Sequence, residues 1–256
     1  MPAVAALLDS RAALGALRRT LPAGTGPVLA CRSPRGLQRA LDARLLEAIV
    51  LGMRAARRIG LGPLRLRYPC IPVVAYGVLR SDDAELLLGW QRLNLAAVAV
   101  EGVDDPVVGD LVARHSVSAR RRAALAEAPR LLRLTEPLQR RTWDRLVAAV
   151  GRPPRTAKIA RELGLSREHL SRQFGAGGAP NLKRVTDLLV VLAALHLLGN
   201  PAYGVPEAAH LLEFATPSHL RAVIRRITGL PLEQARGLTE RELVARFARG
   251  SGRSRR

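Results

Sequence analysis

With 256 residues and 48% apolar side chains, the chain is large enough to bury a sizeable core and is not disordered as a whole. Its formal net charge of +20 favours polyanionic partners, because a cationic protein gains affinity by displacing condensed counterions from phosphates. Nearly all of that charge is arginine, only Lys158 and Lys183 being lysines, and both halves carry an excess of it.

Ala3 to Leu8 is a short apolar run ending in Asp9, and Ser10 to Leu21 has helical spacing in Leu14, Leu17 and Leu21. The same strand and helix plan returns in Val28 to Cys31 with Pro34 to Leu41, and in Ala48 to Leu51 with Met53 to Ile59. It returns again in Ile71 to Tyr76 with Asp82 to Leu93, and in Ala96 to Val100 with Pro106 to His115. Five β-rich runs alternating with amphipathic helices predict a parallel sheet covered on both faces. Right-handed crossovers then give an α/β doubly wound, flavodoxin-like domain over residues 1–116, with strand order 2-1-3-4-5. Asp82, Asp83, Asp104 and Asp105 open predicted helices, where acids cap free N–H groups, and they are read as caps and not as a metal site.

Through L-L-E-A-I-V-L-G, I-P-V-V-A-Y-G and A-A-V-A-V-E-G this stretch resembles a response-regulator receiver domain. The resemblance implies an acidic pair after the first strand, an Asp ending the third, a Ser or Thr after the fourth and a Lys after the fifth. This chain has Leu8 with Asp9, Gly52, Gly77 and Glu101 at those places. Aspartyl phosphorylation needs a carboxylate nucleophile and a carboxylate-bound Mg²⁺, so the expectation is a degenerate receiver, not phosphorylated, used for dimerisation or for sensing a partner or effector. No cofactor is expected.

Residues 117–137 read as a linker helix, with Arg120 to Arg122 in series. From Pro137 the pattern is wholly helical, predicting an all-α domain over 138–249 and a flexible basic tail over 250–256. Leu138 to Val150 forms its first helix, and Pro153 and Pro154 interrupt the pattern after it. Thr156 is expected to cap a helix through Leu163, with Gly164 in the left-handed position that ends it. Ser166 caps the next helix, whose Leu170 and Phe174 share a face with Ile159, Leu163 and Leu165 as a small core. Arg167, Glu168, Ser171 and Arg172 fall on the opposite face, the spacing a recognition helix needs to reach base edges. Arginine there suits guanine and Glu168 a cytosine amine.

A long helix, nearly all apolar, is expected from Gly178–Pro180 to Leu198. A second unit follows, with Pro206 at a helix start, Thr216 as N-cap and Pro217 at the first helical position. Leu220, Val223, Ile224 and Ile227 form its buried face, leaving Ser218, His219, Arg221 and Arg225 outside.

L-S-R-E-H-L-S-R-Q-F, G-A-P-N-L, E-A-A-H-L-L-E-F-A-T-P-S-H-L and G-L-P-L-E-Q-A-R, in that order over residues 138 to 237, resemble the DNA-binding domain of the AraC/XylS transcription regulators. The resemblance implies two helix-turn-helix units whose recognition helices enter successive major grooves. The readers would be Ser166, Arg167, Glu168, Ser171 and Arg172 in the first unit, with Pro217, Ser218, His219, Arg221 and Arg225 in the second. Glu213 stands where the family usually has Gly, which suggests a remodelled turn, since a positive φ at a non-glycine residue costs about 1 kcal/mol or more. Ala222 replaces a common Arg.

The two cysteines, Cys31 and Cys70, lack metal spacing and are expected as buried free thiols. The N-terminus has no basic segment ahead of its apolar run, and Leu188 to Leu198 falls short of the roughly 20 residues of a membrane span. The reading is a bacterial cytoplasmic, nucleoid-associated regulator that binds double-stranded DNA, able to form a homodimer through the receiver-like domain or the linker. It has no catalytic residues. A nonspecific or architectural DNA-binding protein is the alternative.

Overall fold

A computed structural model describes residues 2–149, 151 and 153–251. The chain divides into two compact units, Met1–Arg120 with Gly199–Ala202, and Arg121–Leu198 with Tyr203–Arg256.

In the amino-terminal unit the described residues form a five-stranded parallel sheet: β1 (Ala3–Leu7), β2 (Val28–Ala30), β3 (Leu46–Leu51), β4 (Val73–Gly77) and β5 (Ala97–Val100). Its order is β2-β1-β3-β4-β5, as the alternating pattern predicts. Every residue of β1, β3 and β4 is buried, which explains why they read as continuous apolar runs, whereas edge strands β2 and β5 stay partly exposed. On one face Val4, Val50, Val74 and Ala99 pack with Ala13, Ala16 and Leu17 of α1 (Arg11–Thr20) and Val108 and Val112 of α6 (Val108–His115). Each fully buried Val or Leu contributes roughly 1.5–3 kcal/mol. Gly109 lets α6 approach the end of α1, for a β-carbon there would lie 2.1 Å from the Thr20 carbonyl carbon. Its N–H donates to Thr20 Oγ1 at 2.9 Å.

The remaining helices of this unit are α2 (Pro34–Ala43), α3 (Met53–Ile59), α4 (Leu61–Arg67) and α5 (Ala84–Arg92). Helix α4 is absent from the sequence reading; Gly60, at φ 75°, turns the chain between α3 and α4. The Arg65 guanidinium of α4 donates to the carbonyls of Leu93 (3.1 Å), Tyr68 (3.2 Å), Ile71 (2.6 Å) and Pro69 (2.7 Å), fixing the loop that enters β4. Burial first, then the nearby charge of Arg120, lowers its pKa. The cysteines are half-buried, where full burial was expected. Burial raises the pKa of the Cys31 thiol, and the opposing pull of Arg39 is smaller.

Two of the expected caps are corrected. The side chains of Asp104 and Asp105 fold back on the turn after β5: Asp104 accepts from Val100 N at 2.7 Å, and Asp105 from Gly102 N at 2.8 Å and from the Tyr76 hydroxyl. Helix α6 starts later, behind Val107, without a side-chain cap. Asp83 accepts from Arg80 N at 2.8 Å within the short 3-10 turn Ser81–Asp83, makes no side-chain cap bond to α5 itself, and pairs with Arg57.

The junction is not one helix. It forms α7 (Val117–Ala124) and α8 (Ala128–Leu131), because Pro129 has no N–H with which to continue α7, and Arg133, at a positive φ of 55°, follows the end of α8. Buried Glu47 of β3 accepts from the N–H of Ser118 at 2.8 Å and from its hydroxyl, holding the start of α7 on the sheet.

The carboxyl-terminal unit is helical: α9 (Pro137–Ala148), α10 (Thr156–Glu162), α11 (Arg167–Phe174), α12 (Leu182–Leu198), α13 (Val205–Leu211), α14 (Pro217–Thr228), α15 (Leu232–Ala235) and α16 (Glu240–Ser251). Val150, expected to end the first helix, lies outside the described residues, as do Arg152 and the tail beyond Ser251. Gly250 and Ser251, assigned to that tail, belong to α16. Helix α12 begins later than expected: Gly177 and Gly178 have positive φ, and Asn181 accepts from Arg184 N at 2.9 Å as its cap. Helices α9, α13, α14 and α16 pack on α12, and none of its residues from Leu188 to Leu198 is exposed. No described helix is long and apolar enough to cross a membrane.

Candidate nucleic-acid interface

The first helix-turn-helix is α10, a tight turn and α11. Gly164, at φ 69°, occupies the left-handed position, its N–H donating to Arg161 O at 3.1 Å while Leu165 N donates to Ala160 O at 2.9 Å. A β-carbon on Gly164 would meet nothing within 4 Å, so the requirement there is purely one of backbone conformation. Thr156 is the first residue of α10 and not its cap; that place belongs to Arg155, which makes no side-chain cap bond. Ser166 caps α11, its side chain accepting from His169 N at 3.1 Å. Leu170, Phe174 and Ile159 are buried, whereas Leu163 and Leu165, expected in the same core, are half-buried.

Sequence reasoning missed what fixes the far end of α11. Gln139 of α9, wholly buried, donates to Phe174 O at 2.9 Å and Ala176 O at 3.1 Å, while its Oε1 accepts from Glu136 N at 3.0 Å. A buried amide that satisfies the last carbonyls of a helix fixes that helix's position. Arg145 of α9 also pairs with Glu162 of α10 at 2.9 Å, an exposed contact of small energetic weight. Arg167, Glu168, Ser171 and Arg172 are all exposed, as is the neighbouring Gln173. Glu168 lies in the first turn, where its charge also complements the helix dipole.

In the second unit Glu213 has φ 57°, its N–H donating to His210 O at 3.0 Å and Phe214 N to Ala209 O at 2.8 Å. These bonds reproduce those at Gly164 and Leu165, so the turn keeps its geometry at Glu213 and the remodelling expected there does not occur. The hydrogen bonds that close α13 hold a non-glycine residue in the left-handed region. The segment leading to the cap is one residue longer than in the first unit, Glu213-Phe214-Ala215-Thr216 against Gly164-Leu165-Ser166. Thr216 accepts from His219 N at 3.1 Å, Pro217 starts α14, and Gly229 at φ 69° ends it. Leu220, Val223, Ile224 and Ile227 are buried as predicted. Ser218, His219, Arg221 and Arg225 are exposed and Pro217 is half-buried.

Three contacts steady α14 that no local pattern discloses. The Phe214 ring meets His219 edge-on, with centroids 5.2 Å apart. Asp187 of α12 pairs with Arg226 at 2.9 Å and lies 3.6 Å from the Lys183 ammonium. At the C-terminal end Arg246 of α16 donates to Thr228 O, and Arg184 lies over the Phe247 ring at 5.2 Å.

At the carboxyl end of the amino-terminal sheet, the places a receiver would use for phosphotransfer hold different chemistry. Gly52 follows β3, and a β-carbon on it would stand 2.5 Å from Asp9 Oδ2 and 2.8 Å from Asp9 N. Asp9 is thus seated where a nucleophile's side chain would be, its Oδ2 accepting from Arg54 N at 2.9 Å. Glu101 accepts from the Ser10 hydroxyl. Nearby, burial and the bond to Asp105 raise the pKa of Tyr76, and the Tyr76 hydroxyl followed by Gly102 N–H lowers that of Asp105. Among the described residues no cluster of His, Cys, Asp and Glu could hold a metal ion.

Residues 159–238 match the family model described as a helix-turn-helix domain. The matched segment holds both capped helix-turn-helix units, the kind of domain with which DNA-binding transcription regulators contact DNA. That segment is of the AraC type, and it is joined here to an α/β unit with the flavodoxin-like strand order β2-β1-β3-β4-β5. Full-length FixJ from B. japonicum is a similar solved structure, at 13% identity and a TM-score of 0.38 over 90% of this chain and 98% of that chain, a weak likeness. No curated protein matches the chain.

Proposed function

We propose that the protein is a sequence-specific transcription regulator that works without phosphorylation, reading two successive major grooves of double-stranded DNA with α11 and α14. The observation that carries this reading is the pair of recognition helices with matching N-caps and turn hydrogen bonds, each leaving polar and basic side chains exposed on one face. Ser166, Arg167, Glu168, Ser171 and Arg172 read through the first unit, and Pro217, Ser218, His219, Arg221 and Arg225 through the second. Base reading rests mainly on the first. Its Arg172 aligns with Ala222 of the second, and the second contributes more phosphate anchoring through Arg221 and Arg225.

In this reading residues 1–116 are a pseudo-receiver for dimerisation or effector sensing and 117–137 a junction. Residues from 138 to the end of α16 at Ser251 are the reader, and the residues beyond it a basic tail. The protein acts in the bacterial cytoplasm, catalyses nothing and needs no cofactor. Gly52 supports independence from phosphorylation, since the end of β3 offers no side chain to act as nucleophile and the neighbouring Asp9 carboxylate is engaged by the Arg54 N–H. Binding to fragments of the source genome across a salt series tests the proposal. A subset of fragments is expected to retain tight binding at salt concentrations that release random DNA. Equal affinity for all fragments at every salt concentration would replace it with the architectural reading.

A further inference from the structure

A cleft of about 660 Å³ opens at the carboxyl ends of β1 and β2 beside α1, within the size range of small-ligand sites. It stands beside the region of Asp9, Gly52 and Glu101 that replaces the phosphotransfer centre, on the β2 side. Three guanidinium groups line it, Arg11 and Arg18 from α1 and Arg32 from beyond β2, against a single carboxylate, Asp9. Asp9 is already engaged by Arg54 N on the β3 side. Among the described residues none of the three arginines makes an ion pair or a side-chain hydrogen bond. Other arginines of this unit are used internally, Arg65 on four carbonyls and Arg57 on Asp83. Like charges gathered in excess of counter-charge in a concave wall repel one another and focus a positive potential into the space between them.

Gly15 supplies a second, independent observation. Arg11, Gly15 and Arg18 fall at i, i+4 and i+7, one face of α1, and all three line the cleft. Glycine weakens a helix interior, and no packing contact demands it here. A β-carbon would meet only the flexible end of Arg19, at 3.2 Å. Its effect is to leave the cleft wall open between two arginines. Leu8 and Leu14 add an apolar patch to the lining.

We propose that this cleft binds a small phosphorylated organic molecule of nucleotide size, its phosphate oxygens held by Arg11, Arg18 and Arg32 and its body resting on Leu8 and Leu14. Guanidinium forks match phosphate oxygens bidentately, and ligands of parallel α/β sheets bind outside the carboxyl ends of the strands. The inference is independent of the DNA reading, because it concerns a different unit and a different ligand.

The test titrates the full chain, free of DNA, with ADP and separately with inorganic pyrophosphate by calorimetry, and locates the contact by hydrogen exchange. One saturable site per chain is expected, with ADP protecting amides in residues 8–18 and 28–34. Arg18→Glu with Arg32→Glu should weaken both probes by roughly tenfold or more, and Gly15→Leu should exclude ADP by filling the wall. The same change of charge elsewhere, Arg58→Glu with Arg92→Glu, should leave affinity within about twofold. Should Gly15→Leu fail to fold, the charge variants carry the test alone. Failure of both probes to saturate a site, equal losses in the two charge-reversal pairs, or protection confined to the carboxyl-terminal unit would overturn the proposal.

Discussion

At the scale of single residues, the chain uses arginine and amide side chains for two unlike tasks, and burial separates them. Arg172 is exposed on α11 and free to meet a base edge, where a bidentate contact to guanine discriminates by about 1–3 kcal/mol. Arg172→Ala is therefore expected to weaken binding to a selected fragment more than binding to random DNA. Comparable loss on both would make Arg172 a phosphate contact. Gln139 acts on the inside. Replacing it by Leu leaves the Phe174 and Ala176 carbonyls without their partner, an expected loss of about 1–3 kcal/mol in urea unfolding. An unchanged midpoint would show that water or relaxation satisfies those carbonyls.

At the scale of elements, the two turns make a matched pair in which the same backbone position is held by Gly164 in one and Glu213 in the other. Gly164→Ala should destabilise by about 1 kcal/mol, and Glu213→Gly should stabilise by about 0.5–1 kcal/mol, the relief of strain exceeding the added chain entropy. Thermal melts showing both changes with the same sign would contradict the assignment of strain to Glu213. The five β/α repeats and the two recognition helices were legible in sequence because their signals are local: apolar periodicity, Ser166 and Thr216 as caps, Gly164 as stop. What sequence did not disclose is set by contacts between distant residues or by a single backbone angle. Periodicity ends a helix at Ile59, as the structure does, but gives no sign of α4 beyond the turn at Gly60, and Pro129 divides the junction. Asp104 and Asp105 fold onto β5 and the Tyr76 hydroxyl and leave α6 uncapped. The contacts of Gln139, Arg65 and Asp187 that fix loops and helix ends leave no periodic trace at all.

At the scale of the whole molecule, the +20 charge has several destinations, in recognition helices, in the cleft and in internal contacts. In the amino-terminal unit His115 has a pKa below the ordinary 6.5, lowered first by burial and then by Arg120 and Arg114. A depressed pKa means that the unfolded chain takes up the proton first. The stability associated with neutral His115 is thus complete above 6.5 and is lost as pH falls through the lower folded value. Melting temperature should fall on acidification from neutral pH, and His115→Gln should flatten that slope; an identical slope in the variant would assign the effect elsewhere. Phosphotransfer is expected to be absent, so acetyl phosphate with Mg²⁺ should leave no label on the chain.

The central claim, that α11 and α14 together read DNA, is tested most directly by footprinting the full chain on a fragment it selects from the source genome. Two protected major-groove patches separated by about one helical turn, roughly 10 base pairs, are expected, with Arg172→Ala erasing the patch under α11 and Arg221→Ala weakening the other. Uniform protection along the fragment, or a single patch that responds to neither substitution, would contradict it.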